Sequence, residues 1–161
     1  MRRWKVMTDM ECGVFNGWHI YAHETFIKQF TELSNQVDAI RKKNPDTWEK
    51  SNTSKRFTAI TRLITKVIPQ DPKRPEFRQG NTLGKPYSHW HRAKFFQQYR
   101  LFFRFNEKQR IIIFAWVNDD KTKRVYGSKT DAYRVFEKML KSGNPPDDWD
   151  ELLKESSPID Q

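Results

Sequence analysis

Between His89 and Phe105 the chain reads HWHRAKFFQQYRLFFRF, where most residues are basic or aromatic. Guanidinium and ammonium groups bind phosphate, and aromatic rings stack on exposed bases. A surface that interleaves them suits single-stranded or unpaired RNA. Read as two strands, the alternation of side chains puts Trp90, Arg92, Lys94 and Phe96 on one face of the first. On the second, Arg100, Phe102 and Arg104 share a face, and Tyr99, Leu101, Phe103 and Phe105 share the other. The two basic sets meet only in one register. A two-residue turn at Gln97-Gln98 opposes Lys94 to Leu101 and separates them. A three-residue turn at 96–98 opposes Lys94 to Arg100 and Arg92 to Phe102. The second register is expected, because it keeps Leu101 and Phe103 inside without burying an unpaired Arg92 guanidinium. It builds a platform of Arg92, Lys94, Arg100 and Arg104, with Phe102 and Trp90 among them. The plainer alternative is a solvated strand face on which arginines cover rings.

Two other groupings could do chemistry. His89-x-His91 puts two imidazoles on one strand face, a spacing compatible with a metal or with proton transfer. No third ligand stands nearby in sequence, so no metal or cofactor is expected; His91 is by default a surface histidine, with proton transfer as the alternative. Asp119-Asp120 follows a strand and precedes Lys-Thr-Lys, which reads as a turn.

The whole chain fits a substrate of this charge. Its 161 residues carry 30 Lys+Arg against 20 Asp+Glu, a formal charge of +10, and 14% of them are aromatic. A small protein this basic attracts polyanions, whether nucleic acid or an acidic protein. The one cysteine, Cys12, excludes an internal disulfide and a cysteine-based zinc cluster. No apolar run approaches the ~18–20 residues needed to cross a bilayer. A cytoplasmic protein without a membrane partner is expected.

The elements that must position the basic strands follow from periodicity. Phe26, Phe30, Leu33, Val37 and Ile40 recur at spacings of four, three, four and three, one stripe of a helix over 24–43. Phe57, Ile60, Leu63, Ile64, Val67 and Ile68 mark a second helix over about 47–67, making a helical hairpin. Residues 69–88, with four prolines and two glycines, read as a long ordered loop. Strands are expected at 89–96, 99–106 and 110–117, with a fourth around Lys123–Tyr126. A last helix is expected over 131–141, ended by Gly143 and Pro145-Pro146, and one further helical turn at 150–154. Residues 1–15 are expected to be poorly ordered and 150–161 to form a tail. The fold class is α+β in a single domain over 1–161. A helical hairpin packs on one face of a twisted antiparallel sheet of three to four strands, and the other face stays open for a ligand.

Specific motifs then accumulate along the chain. They include Asn16-Gly17-Trp18 with Tyr21-Ala22-His23, Phe77-Arg78 with Gly80, and Leu83-Gly84. Trp90-x-Arg92-x-Lys94-Phe95, Tyr99-Arg100-Leu101-Phe102-Phe103-Arg104 and Trp116-x-Asn118-Asp119 follow. Tyr126-Gly127-x-Lys129-Thr130-Asp131-Ala132-Tyr133, Val135-Phe136, Lys138-Met139-Leu140 and Gly143-x-Pro145-Pro146-x-Asp148-Trp149 complete the set. With these the chain resembles the YhaV toxin family of the RelE/ParE superfamily, toxins of bacterial type II toxin–antitoxin pairs. The resemblance spans roughly residues 16–150.

The resemblance implies a RelE-like fold and an endoribonuclease that cleaves mRNA on the translating ribosome and is neutralised by a PrlF-type antitoxin. It implies metal-free chemistry, in which a 2′-hydroxyl attacks the adjacent phosphorus, performed with Lys, Arg and Tyr. By position it makes Arg92, Lys94, Arg100, Arg124 and Tyr133 the catalytic candidates. Arg104, Phe102, Trp90, Lys129 and His91 are candidates for RNA binding. The alternative is a non-cleaving toxin of the same fold that blocks a target protein, as ParE-like relatives block DNA gyrase.

Overall fold

The computed structural model describes residues 13–123, 128 and 130–160, together with the backbone of Lys5 and Val6. Helix α1 spans Glu24–Lys43. Its cap is His23, whose ring accepts from the Thr25 amide and binds Glu155 at 3.0 Å through Nε2, so the start of α1 is tied to the C-terminal region. The stripe from Phe26 to Val37 is buried as its spacing requires.

The second expected helix is interrupted. A 3-10 turn at Trp48–Lys50 precedes α2 (Asn52–Arg62), which is capped by Ser51. A π-helical turn at Leu63–Val67 leads into the short α3 (Ile68–Gln70). The widened turn lies just before Pro69, which has no N–H to continue a regular ladder.

The sheet is larger than periodicity suggests. Among the described residues seven strands, β1 (Lys5–Val6), β2 (Val14–Phe15), β3 (Trp18–His23), β4 (His91–Phe95), β5 (Tyr99–Asn106), β6 (Ile111–Val117) and β7 (Ser156–Asp160), form one sheet. The order is β1-β7-β3-β6-β5-β4, with β2 paired to β3. The expected antiparallel sheet of three to four strands is corrected in two respects. Strand β3 enters the middle parallel to β6, with Ile20 opposite Ile112 and Ala22 opposite Phe114, so the sheet is mixed. The tail after the helical turn α5 (Trp149–Lys154) is strand β7, antiparallel to β3. The expected fourth strand at Lys123–Tyr126 lies largely outside the described residues, as do most of residues 1–12.

Both faces of the sheet are covered. On one, Ile20, Ala93, Leu101, Phe103, Ile112 and Phe114 pack with the stripes of α1 and α2. On the other, helix α4 (Ala132–Ser142) sets Tyr133, Phe136 and Leu140 against Trp90, Phe102, Ile113 and Trp116. The expected open face is therefore occupied by α4, because Phe136 and its neighbours form an apolar stripe that has to be buried. A β-bulge serves this second core: Trp116 opposes Phe102 and Phe114 opposes Phe103, which leaves Ala115 as the extra residue.

Phe136 is the centre of that second layer. Its ring lies 4.3 Å from Phe102 and 5.9 Å from Trp116 in stacked geometry, and 5.0 Å edge-on to Trp90. Phe136→Ala is expected to cost about 3–5 kcal/mol by chemical denaturation, since three rings lose their common partner.

Candidate active site

Strands β4 and β5 pair as Lys94 opposite Arg100, Ala93 opposite Leu101 and Arg92 opposite Phe102. The connection is the three-residue turn 96–98, with Phe96 and Gln97 both at positive φ, 46° and 63°. The basic residues of the two strands thus share a sheet face. Asn118, buried after the end of β6, fixes this turn. Its amide oxygen accepts from the Arg100 N–H at 2.6 Å, and its amide nitrogen donates to the carbonyls of Gln98 and Thr122.

Arg92 and Arg100 converge on Tyr133 at the start of α4. Arg92 Nε donates to the Tyr133 hydroxyl at 2.9 Å and Arg100 Nε donates to the same oxygen at 3.1 Å. The rest of each guanidinium is held by main-chain carbonyls. Arg92 Nη1 donates to Glu76 O, and Arg100 Nη1 donates to Gln97 O and Tyr99 O. Arg92 is 8% exposed and Arg100 5%. All of these acceptors are neutral, so the described bonds orient the two charges without cancelling them. A guanidinium carries five N–H donors, and the bonds among the described residues use two of Arg92 and three of Arg100. The remaining donor capacity suits a phosphate, which accepts charge-assisted and bidentate bonds. Lys94 is exposed and directly opposite Arg100, where a mobile ammonium can reach the same anion.

The other expected residues are placed differently. Trp90 and Phe102 are fully buried in the α4 layer and present no ring face for a base. The expectation that they are exposed is corrected by the presence of α4. Arg104 leaves the cluster. Its guanidinium sits 5.6 Å from the Trp90 ring and 5.4 Å from Trp149, and it donates to the Asp147 carbonyl. It therefore pins the segment before α5 to the sheet. Asp147 completes that anchor, accepting from Trp90 Nε1 at 2.7 Å and pairing with His89 Nε2 at 2.6 Å. His91 lies opposite Phe103, on the far side of β4 from Arg92, with its ring 4.9 Å from Phe105. Arg124 and Lys129 lie outside the described residues. The Asp119-Asp120 turn is a 3-10 turn, Asp120–Thr122, capped by Asp119.

Contacts that sequence reasoning missed are the carbonyls of Glu76 and Gln97. A main-chain acceptor leaves no mark on residue type, so only the motif containing Asn118 gave a signal.

A site built of cations and a phenol has the donors that a phosphodiester would accept from. A family model described as a toxin with endonuclease activity, of a toxin–antitoxin system, matches residues 20–157. The Toxin YhaV of Escherichia coli O6:H1 is 43% identical over 143 residues, covering 88% of this chain and 93% of that one. The chain belongs to the YhaV toxin family. The protein named Ribonuclease toxin YhaV in Escherichia coli K12 is 42% identical over the same shares. No solved structure matches. As a YhaV-family toxin, the chain has endonuclease activity within a toxin–antitoxin system. No observation favours the alternative of a non-cleaving binder.

Two outcomes check the geometry. Tyr133→Phe keeps the ring against Phe102 but removes the oxygen shared by two guanidiniums. Loss of this shared acceptor is expected to lower stability by about 1–3 kcal/mol in denaturant titration and to reduce cleavage sharply. The second outcome concerns pH. Burial holds the His91 imidazole below its usual pKa of about 6.5, so the folded protein binds fewer protons there than the unfolded chain. Stability from this group is full above about 6.5 and falls as acid is added below it. The melting temperature of His91→Gln should therefore drop less than that of wild type between pH 7 and pH 5.

Proposed function

We propose that the chain is an mRNA endoribonuclease in which Arg92, Arg100 and Tyr133 hold the scissile phosphate. The observation that carries this reading is the pair of guanidinium Nε atoms converging on one hydroxyl, at 2.9 and 3.1 Å, in a protein of net charge +10. The name of the K12 relative supports RNA as the substrate.

In the proposed reaction the 2′-oxygen attacks the adjacent phosphorus and loses its proton, the P–O5′ bond breaks, and the 5′-oxygen gains a proton. The products are a 2′,3′-cyclic phosphate and a 5′-hydroxyl. Charge builds on the non-bridging oxygens in the phosphorane, and preorganised N–H donors stabilise it more than they stabilise the starting diester. Arg92 and Arg100 fill that role because their backbone and Tyr133 contacts fix them before substrate arrives. Lys94 adds a mobile charge to the phosphorane or carries a proton. The donor set supplies positive charge and a hydroxyl where a metal site would supply carboxylates, and this favours a metal-independent reaction. Among the described residues no group of three His, Cys, Asp or Glu side chains is arranged to hold a metal.

The basic surface also suits association with ribosomal RNA, so cleavage of mRNA on the ribosome belongs to the same proposal. A PrlF-type antitoxin with an acidic segment would neutralise the toxin by covering the cations.

Primer extension on RNA from cells expressing wild type or Arg92→Ala tests the reading. Wild type should produce new 5′ ends, and Arg92→Ala should lose them by roughly 10²–10³-fold. Translation arrest without new 5′ ends would refute it. Purified toxin should also cleave RNA in excess chelator at an undiminished rate.

A further inference from the structure

With Trp90 and Phe102 buried, the large exposed aromatic among the described residues is Phe96. It is 54% exposed, and the other large exposed apolar side chain among the described residues is Val14, at 51% and in β2. Phe96 occupies the tip of the β4–β5 turn at φ 46°, where a bulky residue is uncommon and glycine or asparagine would relax the backbone. Its orientation is set from below: the Phe95 ring meets it at 5.6 Å edge-on and itself stacks on Tyr99 at 5.3 Å.

A cleft of about 490 Å³ opens beside the ring, lined by Lys55, Arg56 and Lys123 together with Asn52, Gln98 and Asp120. Its size falls in the range of small-ligand sites. Three cations face one carboxylate there, and that carboxylate is engaged. Asp120 accepts from Tyr99, lies 3.3 Å from Arg56 Nη1 and 3.9 Å from Lys123 Nζ. The turn is also joined to the catalytic centre, since Gln97 O accepts from Arg100 Nη1 at 2.8 Å and Lys94 precedes Phe95.

We propose that Phe96 and the cationic cleft beside it, on the α2 side of the β4–β5 turn, form a nucleobase-stacking subsite for unpaired RNA, reached around that turn from the phosphate held by Arg92 and Arg100. An exposed ring gives a base a stacking face, the cleft's cations take the next phosphate, and Asn52 and Gln98 offer amides to a base edge. Stacking is tolerant of sequence, so the subsite places the strand more than it reads it. The inference rests on RNA being the substrate.

The test is fluorescence anisotropy of a short labelled RNA, 2′-O-methylated so that it cannot be cleaved, and of an abasic oligomer of equal length. Each is titrated with wild type, Phe96→Ala and Phe96→Trp. Phe96→Ala should weaken binding of the base-bearing oligomer by about five- to a hundredfold and leave the abasic oligomer unaffected. Phe96→Trp should bind at least as tightly as wild type, with tryptophan emission quenched by RNA beyond any quenching of wild type. Melting temperatures near that of wild type would exclude a folding defect in Phe96→Ala. Should that variant fail to fold, the Phe96→Trp arm alone decides, and unquenched emission overturns the proposal.

Unchanged binding by Phe96→Ala, or an equal loss on the abasic oligomer, overturns the subsite alone if wild type still cleaves RNA. Unchanged RNA binding with weakened antitoxin binding would reassign Phe96 to a protein contact. Wild type that neither cleaves nor binds RNA would overturn the parent reading as well.

Discussion

The structure depends on two positive charges held together at one phenol oxygen. Arg92 and Arg100 are both nearly buried, and both point their Nε at Tyr133. Like charges in a poorly solvated place repel, and each guanidinium has lost water that a neutral acceptor only partly replaces. Their geometry survives because it is over-determined by main-chain carbonyls on both sides: Glu76 in the loop before β4, and Gln97 and Tyr99 around the turn. Among the described residues, the acceptors bonded to the two guanidiniums are neutral. On the proposed reading a phosphodiester supplies the counter-charge, and supplies more of it as the phosphorane forms.

The rest of the fold follows from this requirement. Helix α4 carries Tyr133 to the sheet, and its Phe136 seals the layer with Phe102, Trp116 and Trp90, so the phenol cannot move away from the arginines. Arg104 and Asp147 bind the segment leading to α5 to the same layer. His23 links the cap of α1 to Glu155, next to strand β7. Helices α1 and α2 fill the opposite face and make the sheet a rigid support. A face that looked free for a ligand is thereby mostly core, and the exposed chemistry is confined to the β4–β5 end.

Much of this was legible in the chain itself. Helix α1 and strand β5 have the bounds their periodicity implies. The register of Lys94 against Arg100 followed from one argument, the cost of burying an unpaired arginine among apolar side chains. That cost set the register but not the exposure of Arg92. Arg92 is buried after all, because its hydrogen bonds to the Tyr133 hydroxyl and the Glu76 carbonyl replace water, and long-range partners of this kind are not encoded in local pattern. Strand β3 was missed although Trp18, Ile20 and Ala22 alternate, since six residues ahead of a strong helix read as its lead-in. Trp90 and Phe102 were misplaced because nothing in strand alternation says which face a later helix will cover.

The central claim is that Arg92 and Arg100 act as one clamp joined through Tyr133. A double-mutant cycle on the single-turnover cleavage rate tests it most directly, comparing Arg92→Ala, Arg100→Ala and the double variant on one RNA substrate. Groups that work as a unit are non-additive, so the double variant should cleave about as slowly as either single variant. Losses that multiply would mean that the two arginines serve separate steps, and that result would contradict the clamp.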